Sequence, residues 1–205
     1  MDTIGLLGST LGLSFAAGVR LYATILAVGL AVRFGWLHLS AQQQALQVLA
    51  HPAVLIAAGV ACLAEFFVDK VPWVDSLWDS FHTFIRPIGA ALLAATTLGS
   101  LDPALRVVLV ILCGGVAFAS HSSKAATRLV ANQSPEPFSN IAISLLEDGL
   151  APLGVWLSFI HPVVVFVMVL VFLAAFLWLA PKVVRAVTQR LSAFWRWLRG
   201  RPSLP

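Results

Sequence analysis

Apolar residues run in long blocks along this chain, separated by short polar interruptions. Residues 3–19 carry no charge, Arg20 breaks the run, and residues 21–32 are uncharged again. The pattern predicts one long or broken helix over 4–33, with Gly5, Gly8, Gly12 and Gly18 along it. Glycine lets helix backbones approach closely inside a membrane. A polar loop over 35–50 follows, with Gln42, Gln43 and Gln44. His51-Pro52 opens a second apolar stretch, 52–69, whose uncharged part stops at Glu65. Residues 72–85 are amphipathic and too polar to span, so they are expected to lie at the interface or to re-enter. Trp73 and Trp78 suit the headgroup level. A short third span is expected over 87–101 after Arg86-Pro87, followed by a turn at Asp102-Pro103. A fourth span starts near 104 and meets His121, Lys124 and Arg128; a turn runs from Asn132 to Pro137. A fifth helix is expected over 138–158, and a sixth span over 163–180, which holds 18 uncharged residues.

Composition turns these blocks into a class. Of 205 residues, 60% are hydrophobic and only 11% charged, against roughly 25% charged in a soluble domain. Mean hydropathy is +0.92. A soluble fold of this size cannot hide so much apolar surface. This excludes an ordinary soluble enzyme, a disordered chain and a disulfide scaffold. The expected fold is all-α: a polytopic transmembrane helical bundle of about six spans with a broken first helix. Cys62 and Cys113 lie in apolar runs and read as buried free thiols, with no zinc spacing. Met1-Asp2-Thr3 is acidic rather than basic, so the first segment reads as mature protein and not as a signal peptide.

Charge divides the chain. The net charge is +4, yet residues 1–181 hold 7 basic and 9 acidic residues, and the other 6 basic residues lie in 182–205. Residues 1–181 therefore read as a transmembrane helical domain. Residues 182–205 read as a basic amphipathic tail on the cytoplasmic side, in contact with anionic lipid. Val184, Val187, Leu191, Phe194, Trp195 and Leu198 have helical spacing there, as in a helix lying on a membrane surface. A basic tail of this kind gives no nucleic-acid footprint. With six spans and the tail inside, Lys70, Arg86, Lys124 and Arg128 also fall inside, so that side holds 10 of the 13 basic residues.

Two weak internal matches suggest a duplication. Gly12-Leu-Ser-Phe-Ala-Ala pairs with Gly115-Val-Ala-Phe-Ala-Ser at an offset of 103, and His51-Pro-Ala-Val pairs with His161-Pro-Val-Val at an offset of 110. Pseudo-symmetric halves are common in transporters. In a six-span topology, however, the first match relates opposed helices and the second relates parallel ones.

The ionisable residues are the candidate chemistry. Glu65 and Asp69 are spaced i, i+4; Asp75, Asp79, His82 and Arg86 are i, i+4, i+7, i+11; His121, Lys124 and Arg128 are i, i+3, i+7; Asn140, Ser144, Glu147 and Asp148 are i, i+4, i+7, i+8. Each set lies on one helix face. Arg20, Lys70, Arg86, Lys124 and Arg128 nearly balance Glu65, Asp69, Asp75, Asp79, Glu147 and Asp148. Unpaired charge in hydrocarbon costs several kcal/mol, so these groups should face inward and pair. The Lys124/Arg128 face is expected to meet Glu147/Asp148 or Glu65/Asp69. The clusters without His82, together with Lys70, are the candidate substrate- or ion-binding residues. The competing reading is a polar network that only fixes packing. Asp75 with Ser76 and Asp79 suits a hard cation, or a plain pairing with Arg86. His51 and His161 read as caps, and His82 as interfacial. No HExxH, GxSxG or P-loop occurs, so no catalytic residue, metal or cofactor is assigned.

Four stretches taken in order carry a resemblance. They are Gly18-Val-Arg-Leu-Tyr; Glu65-x3-Asp-Lys-x-Pro-x2-Asp-Ser with Arg86-Pro-x-Gly; His121-x2-Lys-x3-Arg; and Ser144-x2-Glu-Asp. Together they resemble a family of small bacterial membrane proteins, domain of unknown function number 4126, over roughly residues 8–180. The departure is Arg20, where a smaller polar residue such as Asn is expected. The resemblance implies a bacterial inner-membrane location and no assigned activity. The expected function is a small transporter, channel or lipid-translocating protein with a charged intramembrane site. Its partners would be membrane lipids and a small solute, ion or lipid, with an oligomer allowed. The alternatives are a structural or assembly protein and, third, a membrane enzyme acting on lipid phosphates.

Overall fold

A computed structural model describes residues 3–99, 101–131 and 137–198, and these are helical with no strand. Six α-helices form: α1 Thr3–Arg33, α2 Pro52–Val68, α3 Pro72–Thr97, α4 Pro103–Ala131, α5 Pro137–Ile160 and α6 Pro162–Leu198. A 3-10 segment, Ala41–Ala50, occupies most of the expected polar loop. Each of α2 to α6 begins on a proline. Proline fixes φ for the first turn, where its missing N–H leaves no acceptor unserved. His51 caps α2, its Nδ1 accepting from the Ala53 amide, and the Asp102 carboxylate caps α4 by accepting from Ala104 and Leu105.

Proline inside a helix accounts for two departures from the sequence reading. The stretches 72–85 and 87–101 were expected to be separate elements, but Pro87 lies within one continuous helix, α3. Pro181 likewise lies within α6, which runs on to Leu198, so the expected tail begins as a continuation of the last helix. In membrane helices, packing and local adjustment absorb the hydrogen bond that proline removes. The Asn132–Pro137 turn, the Asn140 side chain and residues 199–205 lie outside the described part, as do the Leu191, Phe194 and Leu198 side chains.

Four segments are long and apolar enough to cross a membrane: Thr3–Arg33, Pro103–Arg128, Ile141–Ile160 and Pro162–Arg190. A fifth is available if the 3-10 segment and α2, bent by 69°, count as one broken span. The chain is thus a multi-pass membrane protein with four to five candidate spans. The expected third span, over 87–101, does not qualify, because its residues belong to the more polar α3. The duplication gains no support from packing: an added Cβ at Gly12 would strike Ser158 and Val165, whereas Gly115 has open space around it.

The chain divides into two compact units, Met1–Val169 and Leu170–Pro205. The first unit is inverted relative to a soluble domain. Its largest fully buried side chains are Arg20, Arg86 and Arg128, while Ile56, Val60, Leu63 and Phe67 of α2 and Ile111 and Leu112 of α4 point outward. That arrangement suits a hydrocarbon solvent, which welcomes apolar surface and forces charge inward. In the second unit, Val171, Leu177 and Trp178 are exposed, and the Lys182 ammonium lies 3.1 Å from the centroid of the Trp178 ring. Helix α1 forms the middle of the first unit, packing on α2, α3, α4 and α5. Its glycines allow this: Gly8 meets the Pro162 carbonyl and Gly18 meets Ala117 and Ser120 of α4, with no room for a Cβ at either.

Candidate functional site

The site forms where α1 breaks. Arg20 has φ −148° and ψ 86°, so its backbone is extended between two helical halves. The break frees carbonyls at the end of the first half, which carries the negative end of the helix dipole. Two cations from other helices fill this position: Lys124 Nζ lies 3.4 Å from the Val19 oxygen and Arg86 lies 3.5 Å from the Gly18 oxygen. The Arg20 oxygen accepts from Thr24 Oγ1 at 2.8 Å.

The Arg20 side chain then reaches the acids. Its Nη2 is 2.5 Å from Asp69, 2.9 Å from Asp148 and 3.8 Å from Glu147, and it also faces the Ser144 hydroxyl and carbonyl oxygen at 3.3 Å. Arg128 of α4 is shared in the same way. It donates to Glu147 at 2.6 Å and to Asp69 at 3.3 Å, and pairs with Asp75 at 3.3 Å. Lys124 lies 3.3 Å from Glu147 and 3.9 Å from both Asp69 and Glu65. Arg86 pairs with Glu65 at 2.5 Å and Asp79 at 3.4 Å.

Arg86 also fixes a histidine. Its Nη1 lies 2.5 Å from His121 Nδ1. A guanidinium can only donate, so Nδ1 is the acceptor and the ring proton sits on Nε2. That nitrogen donates to the Asp79 carbonyl at 3.1 Å and lies 3.2 Å from Thr83 Oγ1. His121 is therefore neutral in this arrangement. His82, expected at the interface, is buried instead: Nδ1 donates to the Trp78 carbonyl at 2.8 Å, Nε2 accepts from Tyr22 at 3.1 Å, and the ring stacks on Trp78.

Of the residues singled out from sequence, Glu65, Asp69, Asp75, Asp79, Arg86, His121, Lys124, Arg128, Ser144, Glu147 and Asp148 come together in one connected network. Lys70 does not join its ion pairs: its ammonium donates to the Phe66 carbonyl at 2.9 Å and lies over the Phe66 ring. Sequence reasoning undervalued Arg20, which is fully buried at the centre. The signal was there, an arginine with uncharged runs on both sides and Gly18 before it. A single charge within an apolar block is costly enough to imply a partner. Among the described residues, no group of three or more His, Cys, Asp or Glu is placed to hold a metal.

Six carboxyls (Glu65, Asp69, Asp75, Asp79, Glu147, Asp148) pair directly with four cations (Arg20, Arg86, Lys124, Arg128), and the Lys70 charge acts on Asp148 and Asp69 from outside those pairs. One negative charge is in excess, and an excess in a largely buried place is met by a proton or a bound cation. Asp75 is one position for a proton. It is fully buried, and neither of its oxygens has a hydrogen-bond partner; the nearest cation is Arg128, with Nη1 at 3.3 Å. Asp75 lies in the amphipathic half of α3, outside the candidate spans. Burial pushes its carboxyl up to about 7; Arg128 opposes this, and Asp79 and Asp69 add to it. Asp69 is moved the other way: burial would raise it, but Lys124, Arg20 and Arg128 together hold it below the usual range.

A pH dependence follows. An unfolded Asp releases its proton near about 4, whereas folded Asp75 keeps it up to about 7. The folded state binds more protons in that window, so stability falls as pH rises through it. Asp69 has the opposite sign, with its contribution lost only below the ordinary carboxyl range. Asp75→Asn removes the first effect. Its melting temperature relative to the parent protein should therefore climb between pH 5 and pH 8 in detergent. A constant difference across that range would show that Asp75 is ionised throughout.

Comparison with known proteins gives one match. A family described as a domain of unknown function (DUF4126) matches residues 7–182. No curated protein and no solved structure matches the chain.

Proposed function

We propose that this chain, which belongs to the DUF4126 family, is a small membrane transporter in which a cation and protons compete for buried carboxylates. The observation that carries the reading is the cluster at the broken α1, six acids against four paired cations and the more distant Lys70, with freed backbone carbonyls beside them. Discontinuous helices with polar centres are how many transporters bind a solute within a bilayer. In this scheme Glu65, Asp69, Asp75, Asp79, Glu147 and Asp148 hold the cation or the protons. Arg20, Arg86, Lys124 and Arg128 keep the remaining charge tolerable when the site is empty. Ser144 orients Arg20, and His121 orients Arg86.

The test uses vesicles containing purified protein and an internal pH-sensitive dye. Adding sodium, potassium or an organic cation outside should drive protons out of loaded vesicles, as it should not from empty ones. Glu147→Gln, with its helical content and elution volume unchanged, should lower that rate at least tenfold. If none of these cations moves protons, or if Glu147→Gln moves them at the parent rate, the transport reading fails. A purely structural network then stands in its place, and the density of pairing around Arg128 favours that second reading.

A further inference from the structure

A second feature adjoins the charged centre. A cavity of about 470 Å³ lies between α1, α2 and α5, within the range of roughly 300–1,000 Å³ that holds drug-sized ligands. Its α1 wall includes Ala27, Leu30 and Ala31, and its α5 wall includes Trp156 and Phe159. The alanines leave the space open. Asp148 is the one charged residue among the lining side chains. Its Oδ1 lies 2.9 Å from Arg20, while Oδ2 is buried with no hydrogen-bond partner. Arg20 is shared, lying 2.5 Å from Asp69 as well and facing Glu147, and Lys70 acts on Asp148 through its field without an ion pair. The apolar cavity therefore ends on a carboxylate with one oxygen unpartnered.

We infer that this cavity binds an organic cation with an apolar body, the body lying between α1 and α5 and the charge facing Asp148. Charge complementarity selects the sign, since the one charge in the lining is the Asp148 carboxylate and the adjoining centre holds more acids than cations. Trp36 and Trp156 are among the lining residues, and indole rings attract cations. As a statement of what is transported, the inference rests on the transport reading; binding itself is measured separately.

The experiment is equilibrium binding of radiolabelled tetraphenylphosphonium to the purified full chain in detergent, at neutral pH. Tetraphenylborate, the same shape with opposite charge, is the competitor. Saturable binding is expected, displaced by unlabelled tetraphenylphosphonium and not by tetraphenylborate. Asp148→Asn should weaken it at least tenfold, and Asp148→Glu should keep it within a few-fold. Ala27→Phe fills the cavity without touching a charge and should also weaken binding at least tenfold, so the test survives if Asp148→Asn fails to fold. Absence of saturable binding, equal displacement by tetraphenylborate, or parent-like binding in both Asp148→Asn and Ala27→Phe overturns the assignment and leaves the cavity to lipid chains. Binding without vesicle flux keeps the cavity and sinks the transport reading. Sodium-driven proton flux without tetraphenylphosphonium binding does the reverse.

Discussion

Arg128→Ala should lower stability by about 3–5 kcal/mol, the usual cost of breaking a buried ion pair from one side. Arg128 is almost fully buried and serves Asp69, Asp75 and Glu147 together. Its loss leaves Asp75 without a cation and takes one from Asp69 and Glu147, which keep Arg20 and Lys124. Protonation would relieve part of the cost, so the defect should be largest at alkaline pH. The measurement is thermal unfolding in detergent, comparing Arg128→Ala with the double variant Arg128→Ala/Glu147→Gln. The second change removes one of these acidic charges and should recover part of the lost melting temperature. If the single variant melts with the parent protein, the acids are not buried as described and the centre loses its basis.

Gly18→Ala is the second large effect, and it acts through shape rather than charge. A Cβ at residue 18 would stand 1.8 Å from Ser120 Oγ, 2.4 Å from the Ala117 oxygen and 2.7 Å from the Ala117 Cα. The hydroxyl can rotate away, but the α4 backbone cannot. Overpacking of this kind costs about 1–3 kcal/mol and sometimes more. It should also push α4 away from the broken end of α1, stretching the contacts of Lys124 with Val19 and of Arg86 with Gly18. Loss of both melting temperature and cation-driven flux is therefore expected from a single methyl group. Gly115→Ala, on the same helix as Ala117 but with open space around it, is the matched control and should change little. Equal behaviour of the two variants would argue against the close α1–α4 approach.

The helix starts were legible because proline and capping residues act locally. Pro52 and Pro162 were read at helix starts and Pro103 as part of a turn just before one, and each is the first residue of its helix. Pro87 carries the same local signal and means something else. Whether a proline opens a helix or sits inside one depends on what packs around it, and Gly114 of α4 lies close to the Pro87 carbonyl. Arg20 fails in sequence for a related reason. The chain shows a lone cation; its partners lie 49, 127 and 128 positions further on, at Asp69, Glu147 and Asp148.

The sequence by itself determined the solvent of this protein and the faces of its helices. Apolar content decides transfer into lipid, and a spacing of three or four residues decides which side chains share a face; both are properties of the chain alone. The tertiary structure decided which charges meet. It placed Lys70 outside the ion pairs and Arg20 at their centre. Charge balance inside a bundle depends on distances between different helices, and no local pattern along the chain contains them.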